Sequence, residues 1–198
     1  MTARLVLASA SPARLRLLQG AGFDPRVVVS GVDETPPSAA STAEVVAVLA
    51  RRKATAVAAQ CADAVVIGCD SLLDVDGQAL GKPGSAAAAV SLWRRLRGRE
   101  GTLQTGHCLI DTGSGASAEA VASTVVRFGT PSDDEVNAYV ATGEPLSVAG
   151  GFTIEGYGAP FVEGIEGDAG NVIGLSLPLL RSLLGDLGVA MTSLWVSR

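Results

Sequence analysis

Residues 65–83, Val-Val-Ile-Gly-Cys-Asp-Ser-Leu-Leu-Asp-Val-Asp-Gly-Gln-Ala-Leu-Gly-Lys-Pro, set a carboxylate and an ammonium where they can act on a phosphate. The apolar run Val65-Val66-Ile67 closing on Gly68 predicts a short interior strand. Asp70 is then expected at the C-terminal end of that strand, where open α/β sheets gather their ligands. Asp76-Gly77 between two half-apolar runs predicts a hairpin, which folds the chain back and brings Lys82 towards Asp70. An acid and a compact cation on one rim suit a metal-plus-phosphate site.

The count of basic residues points the same way. Of fifteen, only Lys53 and Lys82 are lysines. A chain that uses arginine wherever charge suffices keeps lysine where a small, point-like ammonium is needed. Exposed lysines are also common on any surface, so neither lysine makes the case alone.

Other candidates stand on the elements that must position this pair. Leu5-Val6-Leu7-Ala8 reads as a buried strand, and Ser-Ala-Ser-Pro-Ala-Arg after it starts a helix with Ser11 as N-cap and Pro12 at N1. Free amides of such a turn bind phosphate, and Arg14 is expected to stand over it. The same residues also make an ordinary well-built cap. Asp33-Glu34 enters a proline-rich loop, either as a metal side or as solvated acids. Ser41-Thr42-Ala43-Glu44 is a capping box for a helix to about Gln60, on which Lys53 interrupts the stripe Val46, Leu49, Val57. It either snorkels to the edge or reaches into a cleft. Ser85 caps a helix bearing Trp93, and strands are expected over residues 101–110 and 116–128. His107 reads as a strand residue, because no acid or serine stands at a catalytic spacing from it. In the glycine-dense stretch 149–176, Glu155 lies in an apolar, strand-like run and is the acid best placed to read a base edge. Neither Gly-x-Gly-x-x-Gly nor a Walker loop occurs.

The totals restrict the class. At 198 residues with 47% hydrophobic and 4% aromatic content, the chain suits one domain, 1–198, with an aliphatic α/β core. A net charge of −5 argues against a nucleic-acid partner. Cys61, Cys69 and Cys108 form no Cys-x-x-Cys pair, which points to a reducing compartment and no metal cage. The arginine-bearing start of the chain reads as the first βα unit, not a leader, and no apolar run is long enough to cross a membrane.

Taken in order, Ser-x-Ser-Pro-x-Arg, Asp-Glu, a helical Lys, Gly-x-Asp-Ser, Gly-Lys-Pro, Thr-Gly-His and Asn-Val-Ile-Gly-Leu-Ser-Leu resemble the Maf family. These are the septum-formation-inhibitor-like nucleoside triphosphate pyrophosphatases, and the resemblance runs from Leu5 to about Leu184 and is closest to actinobacterial members. It implies an elongated, two-lobed α/β fold, similar to inosine triphosphatases, with a mixed twisted sheet, flanking helices and a central cleft. It also implies a cytoplasmic homodimer that hydrolyses a nucleoside triphosphate between its α and β phosphates. Carried over by position, Asp70 is the catalytic proton acceptor. Arg14, Lys53 and Lys82 are phosphate ligands, Ser9 and Ser11 the phosphate-turn hydroxyls, and Glu34 with Asp70 the metal side for Mg²⁺ or Mn²⁺. Ala13, Ser71 and Glu155 depart from or divide the family pattern and are the implied substrate-selective positions. Glu155 resembles the branch acting on a 7-methylguanine nucleotide, whereas Ala13 and Ser71 match neither branch. The family name also implies an alternative, a nucleotide-binding regulator of septum formation.

Overall fold

The computed structural model describes residues 4–38 and 40–196. Its centre is a seven-stranded mixed sheet in the order β2-β1-β3-β5-β6-β7, with β4 alongside the far end of β3. Strand β1 (Arg4–Leu7) leads into α1 (Pro12–Gly20) and the two-residue β2 (Arg26–Val27). A loop then enters α2 (Thr42–Ala58), whose capping box is fully formed. Strands β3 (Ala64–Val75) and β4 (Gln78–Leu80) make the expected hairpin, with Asp76 and Gly77 both at positive φ as a two-residue primed turn requires. Helix α3 (Ala86–Leu96) precedes the long pair β5 (Glu100–Asp111) and β6 (Ser117–Phe128). Helix α4 (Asp133–Ala141), short 3-10 turns, β7 (Val162–Glu166), α5 (Ala169–Ile173) and α6 (Leu177–Asp186) complete the order.

One expectation is corrected. The strand carrying Asp70 does not end at Gly68 but runs twelve residues, because β5 pairs with it continuously from Val65 to Asp74. What ends there is its parallel neighbour: β1 pairs only as far as Leu7 with Ile67, and β4 begins only at Leu73. Over residues 68–72, β3 therefore has a strand on one side and a gap on the other.

Three strands of twelve residues are each about 40 Å long at the usual rise, enough to carry two apolar clusters end to end. One cluster packs α1 and α6 on Val65, Ile67, Cys69 and Leu109; the other packs α3 and α4 on Leu73, Val75, Leu103 and Phe128. Both lie on the face bearing the odd-numbered residues of β3. The even-numbered face belongs to α2, which crosses the sheet over two glycines. A Cβ at Gly68 would lie 2.3 Å from the Ala50 carbonyl oxygen, and one at Gly106 would lie 2.2 Å from that of Val46. Gly106 is paired with Asp70 across the ladder, and Gly68 precedes Asp70 by two on the same face. Helix α2 is thus seated directly beside Asp70.

Gly106→Ala forces backbone against backbone and is expected to cost at least about 2 kcal/mol in urea unfolding. Gly185→Ala in α6, where nothing lies within 4 Å of the new Cβ, is expected to be neutral or stabilising. Equal stabilities for the two variants would show that α2 is not held by this close approach.

Candidate active site

The gap beside residues 68–72 has two rims. Below lies the turn from β1 into α1, with Ser9 and Ser11; above lies the segment after β4, with Lys82. Asp70, on the α2 face, is almost buried. Lys53, on the fourth turn of α2 and 7% exposed, reaches it: Nζ donates to Asp70 Oδ1 at 2.6 Å. The same ammonium lies 2.8 Å from Glu34 Oε1, on the loop before α2. Lys53 therefore reaches into the cleft instead of snorkelling out of it. Bonding to Lys53 holds the Glu34 carboxyl below the usual carboxylate range, and the charges of Lys82 and Arg14 add to this. Lys82 itself is exposed and forms no ion pair among the described residues.

The lower rim is built as a cap. Ser11 Oγ accepts the Arg14 amide, and Ser9 Oγ accepts the Ser11 amide at 3.2 Å. Each hydroxyl, used here as acceptor, keeps its own O–H to donate to an anion. Arg14 stands against this turn as expected, with Nη1 donating to Ser9 Oγ at 3.1 Å, but it is not free. It is 8% exposed, and four of its five N–H groups are committed: Nε to Gly174 O, Nη1 to Cys69 O and Ser9 Oγ, and Nη2 to Ser71 Oγ. Two of these acceptors are backbone carbonyls of β3 and the α5–α6 turn, so Arg14 fastens the rim and brings a charge, with one N–H left over.

The three positions expected to be substrate-selective converge on α1. Ala13 is on it, Ser71 holds Arg14, and Glu155 meets Arg16 at 3.4 Å. Glu155 is corrected in one respect: it is not in a strand or buried, but sits exposed in the turn before a 3-10 helix. Gly150 and Gly156, both at positive φ, keep that stretch out of extended pairing. The turn is pinned by Glu144, whose carboxylate accepts Thr153 Oγ1 and the amides of Tyr157 and Gly158. His107 is a strand residue as expected, 1% exposed, and burial pushes its imidazole down to about 4.

Several participants were missed from the sequence. Thr105, Asn171 and Gly174 form a polar belt with Ser71 between the two apolar clusters. All three lie in motifs that carry the family resemblance, Thr-Gly-His and Asn-Val-Ile-Gly-Leu-Ser-Leu, but nothing local marked them as partners of Ser71. A separate concavity of about 740 Å³ lies between the loop at Val32–Pro36 and the outer side of α2, and it includes none of the residues in the gap.

Among the described residues no three acids, histidines or cysteines gather as a metal cage. Glu34 and Asp70 nonetheless present two hard oxygen donors bonded to one nitrogen. That set fits Mg²⁺, which takes one or two carboxylates and fills its shell with water and substrate phosphates.

Comparison with known proteins identifies the family. The model of the family described as Maf-like protein matches residues 4–187. A protein of Streptomyces coelicolor is 63% identical over 194 residues, covering 97% of this chain and 94% of its own. One from Streptomyces avermitilis is 61% identical over 197 residues, covering 98% and 96%. One from Synechocystis is 49% identical over 195 residues, covering 98% and 100%. All three are named nucleoside triphosphate pyrophosphatase. The sheet gap, its serine-capped rim and its lysine-bridged acids thus lie within a single family match, and the chain belongs to the Maf family.

Proposed function

We propose that this protein is a hydrolase that cleaves a nucleoside triphosphate between the α and β phosphates, giving the monophosphate and pyrophosphate. The observation that carries the reading is Lys53 bracketed by Asp70 and Glu34 in a break of the sheet whose rims hold Ser9, Ser11 and Lys82. The triphosphate spans the gap. Its oxygens accept from the serine hydroxyls, the α1 amides and Lys82, and the charge of Arg14 stabilises the negative charge that grows on the leaving pyrophosphate. Asp70 orients a water and takes its proton as the water oxygen bonds to phosphorus and the bridging P–O bond breaks. Lys53 holds Asp70 and Glu34 in register for this step. A divalent ion held by Glu34 and Asp70, Mg²⁺ or Mn²⁺, would neutralise phosphate charge and polarise the bond.

Selection of the base falls to the α1 side, where Glu155 and Arg16 stand together. A carboxylate only accepts, and it suits the adjacent N1 and N2 donors of guanine better than a pyrimidine edge that sets carbonyls beside its single N–H. Arg16 offers the complementary donor to guanine O6. The reading accordingly favours guanine-type triphosphates over dTTP and UTP.

Asp70→Asn is expected to retain the fold and lose at least about a hundredfold in turnover, measured as pyrophosphate release. Near-native turnover removes Asp70 from the chemistry. Lys82→Arg touches nothing that stabilises the fold, so its melting temperature should not move; its activity should fall by about tenfold or more if the site needs a point-like ammonium. A fully active arginine variant refutes that requirement. Across a panel of triphosphates, Glu155→Gln is expected to shift kcat/KM towards dTTP and UTP by about tenfold or more. An unchanged ratio assigns the base to Ala13, Ser71 or the glycine-rich backbone.

A further inference from the structure

On the sheet face opposite Asp70, the hydrogen bonds of Arg14 close into a ring. The ring nitrogens of His107 face two backbone groups: Nδ1 is 3.0 Å from the Thr105 carbonyl oxygen, and Nε2 is 2.9 Å from the Ser176 amide. An amide only donates and a carbonyl only accepts, so the imidazole is neutral with its proton on Nδ1. Ser176 ends a three-residue turn begun by Gly174, whose carbonyl accepts Arg14 Nε at 2.7 Å. Between them Leu175 is fully buried in the α1–α6 cluster. From Arg14 the path returns through Ser71 Oγ and Thr105 Oγ1 to the Thr105 carbonyl and His107.

We propose that His107 is a positioning residue for Arg14: its unprotonated Nε2 fixes the Gly174–Ser176 turn, and the turn aims the guanidinium into the sheet gap. This rests on the phosphate role given to Arg14 above. Contact between turn and guanidinium is direct, since a Cβ at Gly174 would lie 3.2 Å from Arg14 Nε, so displacement of the turn reaches Arg14 undamped. Without an acceptor at the Nε2 position, the Ser176 amide is left buried and unpaired, and the turn must move to solvate it. Arg14 and Asp168 are the charged groups acting on the imidazole; Arg14 disfavours its protonation and Asp168 favours it, while burial keeps it an acceptor at neutral pH.

Two substitutions and a double-mutant cycle test this. His107→Gln puts an amide oxygen near the Nε2 position, whereas His107→Asn reaches only as far as Nδ1. In pyrophosphate-release assays of the full chain, His107→Asn is expected to lower kcat/KM by about tenfold and His107→Gln to recover most of it. In an Arg14→Lys background, which keeps the charge but not the four bonds, His107→Asn should cost less than about twofold. Equal cost in both backgrounds, or a folded His107→Gln no better than His107→Asn, overturns the proposal. Native activity in Arg14→Lys alone removes the role of Arg14, and the proposal with it.

A second measurement needs no variant. The chain has one histidine, so ¹⁵N-histidine labelling of the untagged protein gives two ring resonances. Protonated Nδ1 and bare Nε2 are expected at neutral pH, and a protonated Nε2 overturns the proposal. If the native chain releases pyrophosphate from no triphosphate, the function fails, and the tautomer still decides whether His107 holds the turn.

Discussion

The contact on which the rest depends is the seat of α2 on Gly68 and Gly106. With no Cβ on either strand at these points, the helix backbone rests against the sheet backbone, closer than ordinary side chains allow. Only at that distance does Lys53 Nζ come within 2.6 Å of Asp70 while its stem stays covered. Breaking a buried ion pair by removing one member costs several kcal/mol, because the other charge stays behind without a partner. Packing and chemistry are therefore joined at one place: the glycines seat the helix, the helix delivers the lysine, and the lysine orients both acids.

A second constraint is the break in the sheet. β3 is extended throughout because β5 and the Asp76-Gly77 hairpin hold it so, yet its other edge is unpaired between the end of β1 and the start of β4. An open edge leaves polar backbone groups in need of partners. Arg14 takes one of them, Cys69 O, and in doing so ties α1 and the α5–α6 turn to the strand that carries Asp70. The polar belt of Ser71, Thr105 and Asn171 occupies the same level, which is why the core divides into two apolar clusters instead of one.

Charge is arranged against the overall balance. The chain is net negative, yet Lys53, Lys82 and Arg14 converge around two acids, so the cleft suits an anion more than the surface does. Arginines elsewhere are spent on exposed pairs, such as Arg94 and Arg97 with Asp133 and Arg99 with Asp76, which add little to stability.

Local signals that rest on one turn of chain were legible in the sequence. Ser11, Ser41 and Ser85 all cap helices as their spacing indicated, the Asp76-Gly77 turn forms, and His107 lies in its strand. The lysine count drew attention to Lys53, which the structure brings against Asp70, since a rare side-chain type is visible without any fold. Length of β3, exposure of Glu155 and engagement of Arg14 were not legible, because each is decided by a partner far along the chain: β5 for the strand, Arg16 and Glu144 for the Glu155 turn, Gly174 for the guanidinium. A sequence states which groups can cap, turn or carry charge. Which acceptor a buried donor meets is a property of packed backbones, and here the ring through His107, Ser176, Gly174 and Arg14 exists only once residues up to 160 positions apart are brought together.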